Sequence, residues 1–188
     1  HLTKTAFMKK ILFLAVATLL GFAGMAQFKS ASLQAAGLTC AMCTKAINTS
    51  LEQLPFVKDV DVDIKTSSFI INFKEGSNAD FDQLKNAVED AGFSVAKLSV
   101  TGNFNNVKVE NDTHVQIGGK NYHFLNIKPQ TLDGEKTIVL ADKDFMGSSA
   151  FKKISAATKM SCIQTGKAAA CCTKDGISAN SRIYHVTI

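Results

Sequence analysis

Cys40 and Cys43 carry the most chemistry for their spacing of any pair in the chain. The two residues between them, Ala41 and Met42, let both sulfurs converge on one ion or on each other. Thiolates are soft donors that select Cu(I), Zn and other thiophilic ions over Mg or Ca. Two of them suffice for a near-linear ion, whereas a structural zinc takes four ligands. No second CxxC and no nearby His completes such a set. The same spacing also serves thiol–disulfide exchange or a plain local disulfide. Exchange folds place an aromatic ahead of the first cysteine and a proline loop opposite it. Here Thr39 precedes Cys40, Trp is absent, and Pro129 lies far downstream. Met42 reads as a flexible space-filler beside the pair.

A second group of sulfurs follows much later. Cys162, Cys171 and Cys172, with the thioether of Met160, fall within residues 160–172. Adjacent cysteines bond to each other only with strain, so a disulfide of Cys162 with one of the pair is the natural bridge. A second soft-metal site and free thiols are the other readings. Five cysteines are an odd number, so at least one has no partner within the chain. His114, His123 and His185 sit in apparent strands and read as ordinary surface or core histidines. The row Asp59, Asp61 and Asp63 reads as the solvent face of a strand.

Two textures of sequence position these groups. In residues 28–100, Ser32 to Ala36 is a weak strand ending at Gly37. A helix then begins near Cys43, with Ala46, Ile47, Ser50, Leu51 and Leu54 sharing its face, and Pro55 stops it. Val57 to Ile64 alternates, with Val60, Val62 and Ile64 expected inward. Lys65 to Ser68 turns the chain into Phe69 to Phe73, which makes a hairpin. Asn78 or Asp80 caps a second helix whose face is Phe81, Leu84, Ala87, Val88 and Ala91. Gly92 ends that helix and Phe93 to Val100 returns as a strand. The order β-α-β-β-α-β is that of the ferredoxin-like sandwich, so the fold class is α+β.

Thr101-Gly102-Asn103 reads as a short linker into residues 101–188, a small β-rich domain in the form of a partly open barrel with one helix. Gly118 to Asn121 is a hairpin signal between two strands, and Thr137 to Leu140 is a further strand. Ser148 or Ser149 caps a helix carrying Phe151, Ile154 and Ala157. Thr158 to Ser181 lacks apolar periodicity and reads as a long loop. Arg182 to Ile188 closes as a strand.

Gly37-Leu38-Thr39-Cys40-Ala41-Met42-Cys43, at a strand-to-helix junction, resembles the heavy-metal-associated domain of copper chaperones, metal-pumping ATPases and periplasmic mercury-binding proteins. That family carries Gly-Met-Thr-Cys-x-x-Cys, with Leu38 here in the Met position. Met there packs under the loop, and Leu fills a similar volume. Leu54-Pro55-Phe56-Val57 is similar to the family's Leu-Pro-Gly-Val turn, and Ala91-Gly92-Phe93 to its loop facing the metal, with Phe93 an apolar lid. The likeness implies a metal-binding domain over residues 28–100 and leaves 101–188 without a role.

The first 26 residues suggest a compartment. Lys9 and Lys10 precede the apolar run Ile11 to Leu20, and Gly24-Met25-Ala26 supplies small residues for cleavage before Gln27. Residues 1–7 read as an upstream extension ahead of Met8. Removing residues 1–26 takes three lysines and no acid, so the formal charge falls from +5 to +2. A balance that small gives no case for nucleic-acid binding. The expectation is a periplasmic or secreted non-enzyme that captures Cu(I) and passes it to an envelope efflux system or sensor, with no stable membrane insertion after cleavage. A mercury(II) scavenger with the same site and an envelope thiol–disulfide oxidoreductase are the alternatives, and Zn(II) a further candidate ion.

Overall fold

The computed structural model describes residues 27–38 and 40–188. The expected leader, residues 1–26, and Thr39 lie outside them. Strand β1 (Gln27–Ala36) leads through the cysteine loop into helix α1 (Ala41–Glu52), which buries Ile47 and Leu51. Strands β2 (Val57–Asp63) and β3 (Ser68–Phe73) form the hairpin. Helix α2 (Phe81–Asp90) buries Phe81, Leu84, Ala87 and Val88. The Asp80 carboxylate caps it by accepting from the backbone N–H groups of Asp82 and Gln83 at 3.0 and 3.2 Å. The β2-β3-β1-β4 order of these strands is that of the ferredoxin-like sandwich read from the sequence.

Strand β4 (Ser94–Val109) departs from the expected plan. It runs straight through Thr101, Gly102 and Asn103, where a linker was expected. Its first part pairs with β1 from Ser94 to Asn103, and from Ser99 onward it pairs with β7 (Gln130–Leu140) on its other side. Gly102 permits this continuity, because a Cβ there would meet Phe28 Cδ1 at 2.9 Å and the Gln27 carbonyl at 3.0 Å.

The C-terminal strands therefore extend one sheet of eight strands, in the order β2-β3-β1-β4-β7-β8-β6-β5, with β5 Thr113–Ile117, β6 Lys120–Phe124 and β8 Ile183–Thr187. The sheet stays open, with β2 and β5 at its edges, so the partly open barrel does not form. Gly118 and Gly119, at φ +56° and +77°, make a two-residue turn that fixes the β5–β6 register. Helices α3 (Ser148–Ser155), α4 (Cys162–Thr165) and α5 (Ala170–Thr173) fill the crossover from β7 to β8. The expected long loop is thus two short helical turns that carry the late cysteines to the sheet.

The inward reading of β2 also fails. Val60 is only half-buried, Val62 is 36% exposed and Ile64 84% exposed. β2 is an edge strand ending at Asp63, so Ile64 already lies in the turn beyond it.

An aromatic seam joins the two halves. Phe28 meets Phe81 and Tyr122, with ring centroids 5.3 and 5.9 Å apart, and Phe81 meets Tyr184 at 5.3 Å. Beside it, Arg182 grips Asp82 of α2 through Nε and Nη2 at 2.9 and 3.1 Å, and the Tyr184 hydroxyl donates to the same carboxylate. Burial alone would raise the Asp82 pKa, but the Arg182 hydrogen bonds and charge outweigh it and hold the carboxyl below its ordinary value. A depressed carboxylate stabilises the fold above its unfolded pKa, about 3.9, and that contribution is lost as pH falls through the folded value. Asp82→Asn is therefore expected to be less stable than the parent at pH 7 by about 1 kcal/mol, since the pair is partly exposed. In urea melts the gap should close as pH drops below about 4; a gap that does not change with pH would rule out the ion pair as its source.

Candidate metal centre

At the first pair, the chain leaves β1 through Gly37 and enters α1 with Cys40 as its N-cap, in extended conformation. The Cys40 sulfur accepts the backbone N–H of Cys43 at 3.2 Å, and the Cys40 carbonyl accepts from the Cys43 and Thr44 amides. Both sulfurs thus sit where the free N–H groups of a helix start favour negative charge. The Cα atoms are 5.4 Å apart and the sulfurs are joined as a disulfide. Cys40 is exposed and Cys43 half-buried, so the pair faces solvent. Leu38, in the position where the likeness implied a packing residue, is partly buried against the core. Met42 is 74% exposed. A mostly apolar cleft of 530 Å³ opens beside Cys40, lined by Leu38, Val62, Ile64 and Phe69 among others.

Around the late cysteines the structure assembles more than the sequence suggested. Cys162, Cys171 and Cys172 are all free thiols, so the Cys162 bridge does not form. Cys162 and Cys172 are buried, and Cys171 Sγ lies 3.4 Å from Cys172 Sγ. Three histidines join them, and all three are side-chain buried, which fits the core half of their reading as ordinary surface or core histidines. His114 on β5 pairs in register with His123 on β6, and His123 with His185 on β8. The three therefore form one row across adjacent strands. Spacing along the chain carries no trace of this row; only the strand register brings its members together, and the Gly118-Gly119 turn was the one sequence signal for half of it.

Each imidazole turns one nitrogen to a carboxylate. His185 Nδ1 lies 2.7 Å from Asp142, His123 Nε2 3.2 Å from Asp112, and His114 Nδ1 2.6 Å from Asp175. The other nitrogens face inward. His123 Nδ1 is 3.6 Å and His185 Nε2 3.5 Å from Cys162 Sγ. His114 Nε2 is buried and has no hydrogen-bond partner. The donor atoms of His123, Cys162 and His185 lie within 4.8 Å of one another, as do those of His114, Cys162 and Cys172.

Burial, and then His185 and His114 beside it, hold the His123 pKa down to about 4, so that ring is neutral at pH 7. Burial likewise pushes the Cys162 thiol well up, with Cys172 adding to it. Burial would raise Cys171 too, but hydrogen bonds from the Cys162 backbone, Cys172 and Ser161 outweigh it and bring it down to about 7.

Residues 32–94 match the model of the heavy-metal-associated domain. The copper chaperone CopZ of Bacillus subtilis is 32% identical over 66 residues, which cover 35% of this chain and 94% of that protein. Copper-transporting ATPase 1 of Rhizobium meliloti is 33% identical over 66 residues, and this chain spans only 8% of its length. Among solved structures, the yeast copper transporter domain CCC2A is 31% identical, covering 35% of this chain and 88% of that one, with a TM-score of 0.32. The matched family segment contains Cys40 and Cys43 and ends before the histidine row begins.

Proposed function

Because this chain belongs to the heavy-metal-associated domain family through residues 32–94, we propose that it captures Cu(I) between the Cys40 and Cys43 thiolates and hands it on. The observation that carries this reading is the exposed CxxC pair at the N-cap of α1. Both sulfurs must first be reduced: an external dithiol gives the disulfide two electrons and two protons, yielding two thiols, and leaves as its own disulfide. Cu(I) then replaces those protons, and the linear two-sulfur complex leaves room for an incoming thiolate. An acceptor's cysteines add to the ion before Cys40 and Cys43 leave, so no free ion forms.

In this reading the chain is a carrier with no catalytic residue, and Hg(II) or Zn(II) would compete for the same thiolates. Its acceptor is a protein docking over the cleft beside Cys40, where Val62 and Ile64 present apolar surface. The succession in sequence of Lys9-Lys10, an apolar run and small residues supports work in the periplasm or outside the cell. The partner is then an envelope efflux component or sensor.

The test is a Cu(I) competition against a colorimetric chelator with reduced protein, comparing the parent with Cys40→Ser/Cys43→Ser. The parent should hold one equivalent more than the double variant and release it to an added apo copper chaperone. Equal uptake by the two proteins would end the proposal. The bonded state of the pair favours one second reading, thiol–disulfide exchange. Reduction of a substrate disulfide that persists after metal is stripped would favour that reading over metal transfer.

A further inference from the structure

We propose that the chain holds a second, resident metal ion inside its C-terminal half, on His123, His185 and Cys162, with His114 or Cys172 supplying the fourth donor. This site is independent of the Cys40–Cys43 reading and lies outside the matched family segment.

Three observations converge on it. The first is the orientation of the rings. Asp112 and Asp142 accept the outer N–H of His123 and His185, which fixes the tautomer and leaves both inner nitrogens with lone pairs aimed at Cys162 Sγ. A carboxylate behind a histidine is the usual support of a metal-ligating imidazole. The Cys162 thiol has a single proton and satisfies one of these nitrogens. The other faces sulfur, lone pair to lone pair, at about the same distance. A cation between the three atoms removes that conflict, and hydrogen bonding within the cluster does not.

The second is length. With metal–nitrogen bonds of about 2.0–2.1 Å and metal–sulfur bonds of about 2.3 Å, a tetrahedral site separates N from S by about 3.6 Å. The two edges measured here are 3.5 and 3.6 Å. The third is the orphan. His114 Nε2 is buried without a partner, its other nitrogen held by Asp175, and its ring stacks on His123 with centroids 4.4 Å apart. An unpaired buried acceptor costs about 1–3 kcal/mol, which ligation would offset.

Two or three imidazoles with one or two thiolates form a donor set of intermediate softness, suited to Zn(II) or copper and poor for Mg or Ca. The site is sealed: His123, His185, Cys162 and Cys172 all have no exposure. A sealed site retains its ion, in contrast to the exposed pair on α1. The metal would also tie α4 and α5, each only four residues long, to β5, β6 and β8. That crossover is otherwise held by a small cluster of Cys162, Ala168, Cys172 and Ile183.

The experiment uses the full chain carrying Cys40→Ser/Cys43→Ser, reduced, so that the first site is silent. It is titrated with Co(II) as spectroscopic probe, then with Zn(II) and Cu(I) against chelators to rank the ions. One equivalent of Co(II) should bind with intense four-coordinate ligand-field bands and thiolate charge transfer. Adding Cys162→Ser should weaken binding at least 100-fold and Asp142→Asn by 10–100-fold, while Cys171→Ser leaves it unchanged. X-ray absorption of the loaded double-serine protein, which needs no substitution in the cluster, should show mixed nitrogen and sulfur ligation. Failure of the double-serine protein to bind any of the three ions at micromolar concentration would overturn the proposal, as would ligation by oxygen and nitrogen alone. Neither result touches the Cys40–Cys43 reading, whose site is absent from the protein tested.

Discussion

Cys40→Ser is expected to lose Cu(I) capture by on the order of 10³-fold or more while leaving the melting temperature within about 2 °C of the reduced parent. The two effects separate because Cys40 has two roles in the structure. Its sulfur is half of the proposed ion seat, and it also caps α1 by accepting the Cys43 amide at 3.2 Å. Serine is among the preferred N-cap residues, so its hydroxyl takes over the second role. It is too hard and too weakly acidic to take over the first. Cys40→Ala abolishes both and should lower stability by about 1 kcal/mol as well. The measurements are chelator competition under reducing conditions and a thermal melt of each variant. If the serine variant kept parental Cu(I) affinity, the ion would have to be bound elsewhere. Oxidised parent protein is the matching control and should bind no Cu(I) at this pair, with capture returning on reduction.

The largest expected effect on stability belongs to Phe81→Ala. Phe81 opens α2, is fully buried, and meets Phe28 of β1 and Tyr184 of β8 edge to face. Truncating a buried Phe costs about 3–5 kcal/mol through lost burial and the cavity left behind. For a domain of this size that is a fall of roughly 10 °C in melting temperature. Because the ring touches elements from both halves, the variant should still melt in one transition. Calorimetry that resolved two transitions, with only the earlier one displaced, would show that the halves unfold separately and that the seam does not couple them.

The part of the fold set by local signals was legible in the residues. Ile47 and Leu51 at helical spacing, Asn78 or Asp80 ahead of Phe81, and Pro55 after α1 mark the first two helices, and the structure selects Asp80 as the cap. The Cys40–Cys43 pair was visible for the same reason, since its members are neighbours in sequence and share one junction. Hidden features were those that depend on non-local register. Nothing in Thr101-Gly102-Asn103 distinguishes a linker from a strand until Gly102 is seen against Phe28. Likewise His114, His123 and His185 become a row only through pairings of β5, β6 and β8. Their carboxylate partners, Asp112, Asp142 and Asp175, come from three separate segments. Val62 and Ile64 misled for a related reason: alternation marks a strand, but not whether it lies at the margin of the sheet.

β4 has neighbours along both of its long sides, and this denies the molecule a clean line of division. A cut after Val100 would remove the residues paired with Gln27, Phe28 and Ser30 and take Phe104 and Tyr122 away from the Phe28 ring. A cut after Val109 would instead strip away β7 and leave the Ser99–Val109 flank with open amides and carbonyls, a template for sticking to another copy. The heavy-metal-associated part and its companion are thus welded along a single shared plank.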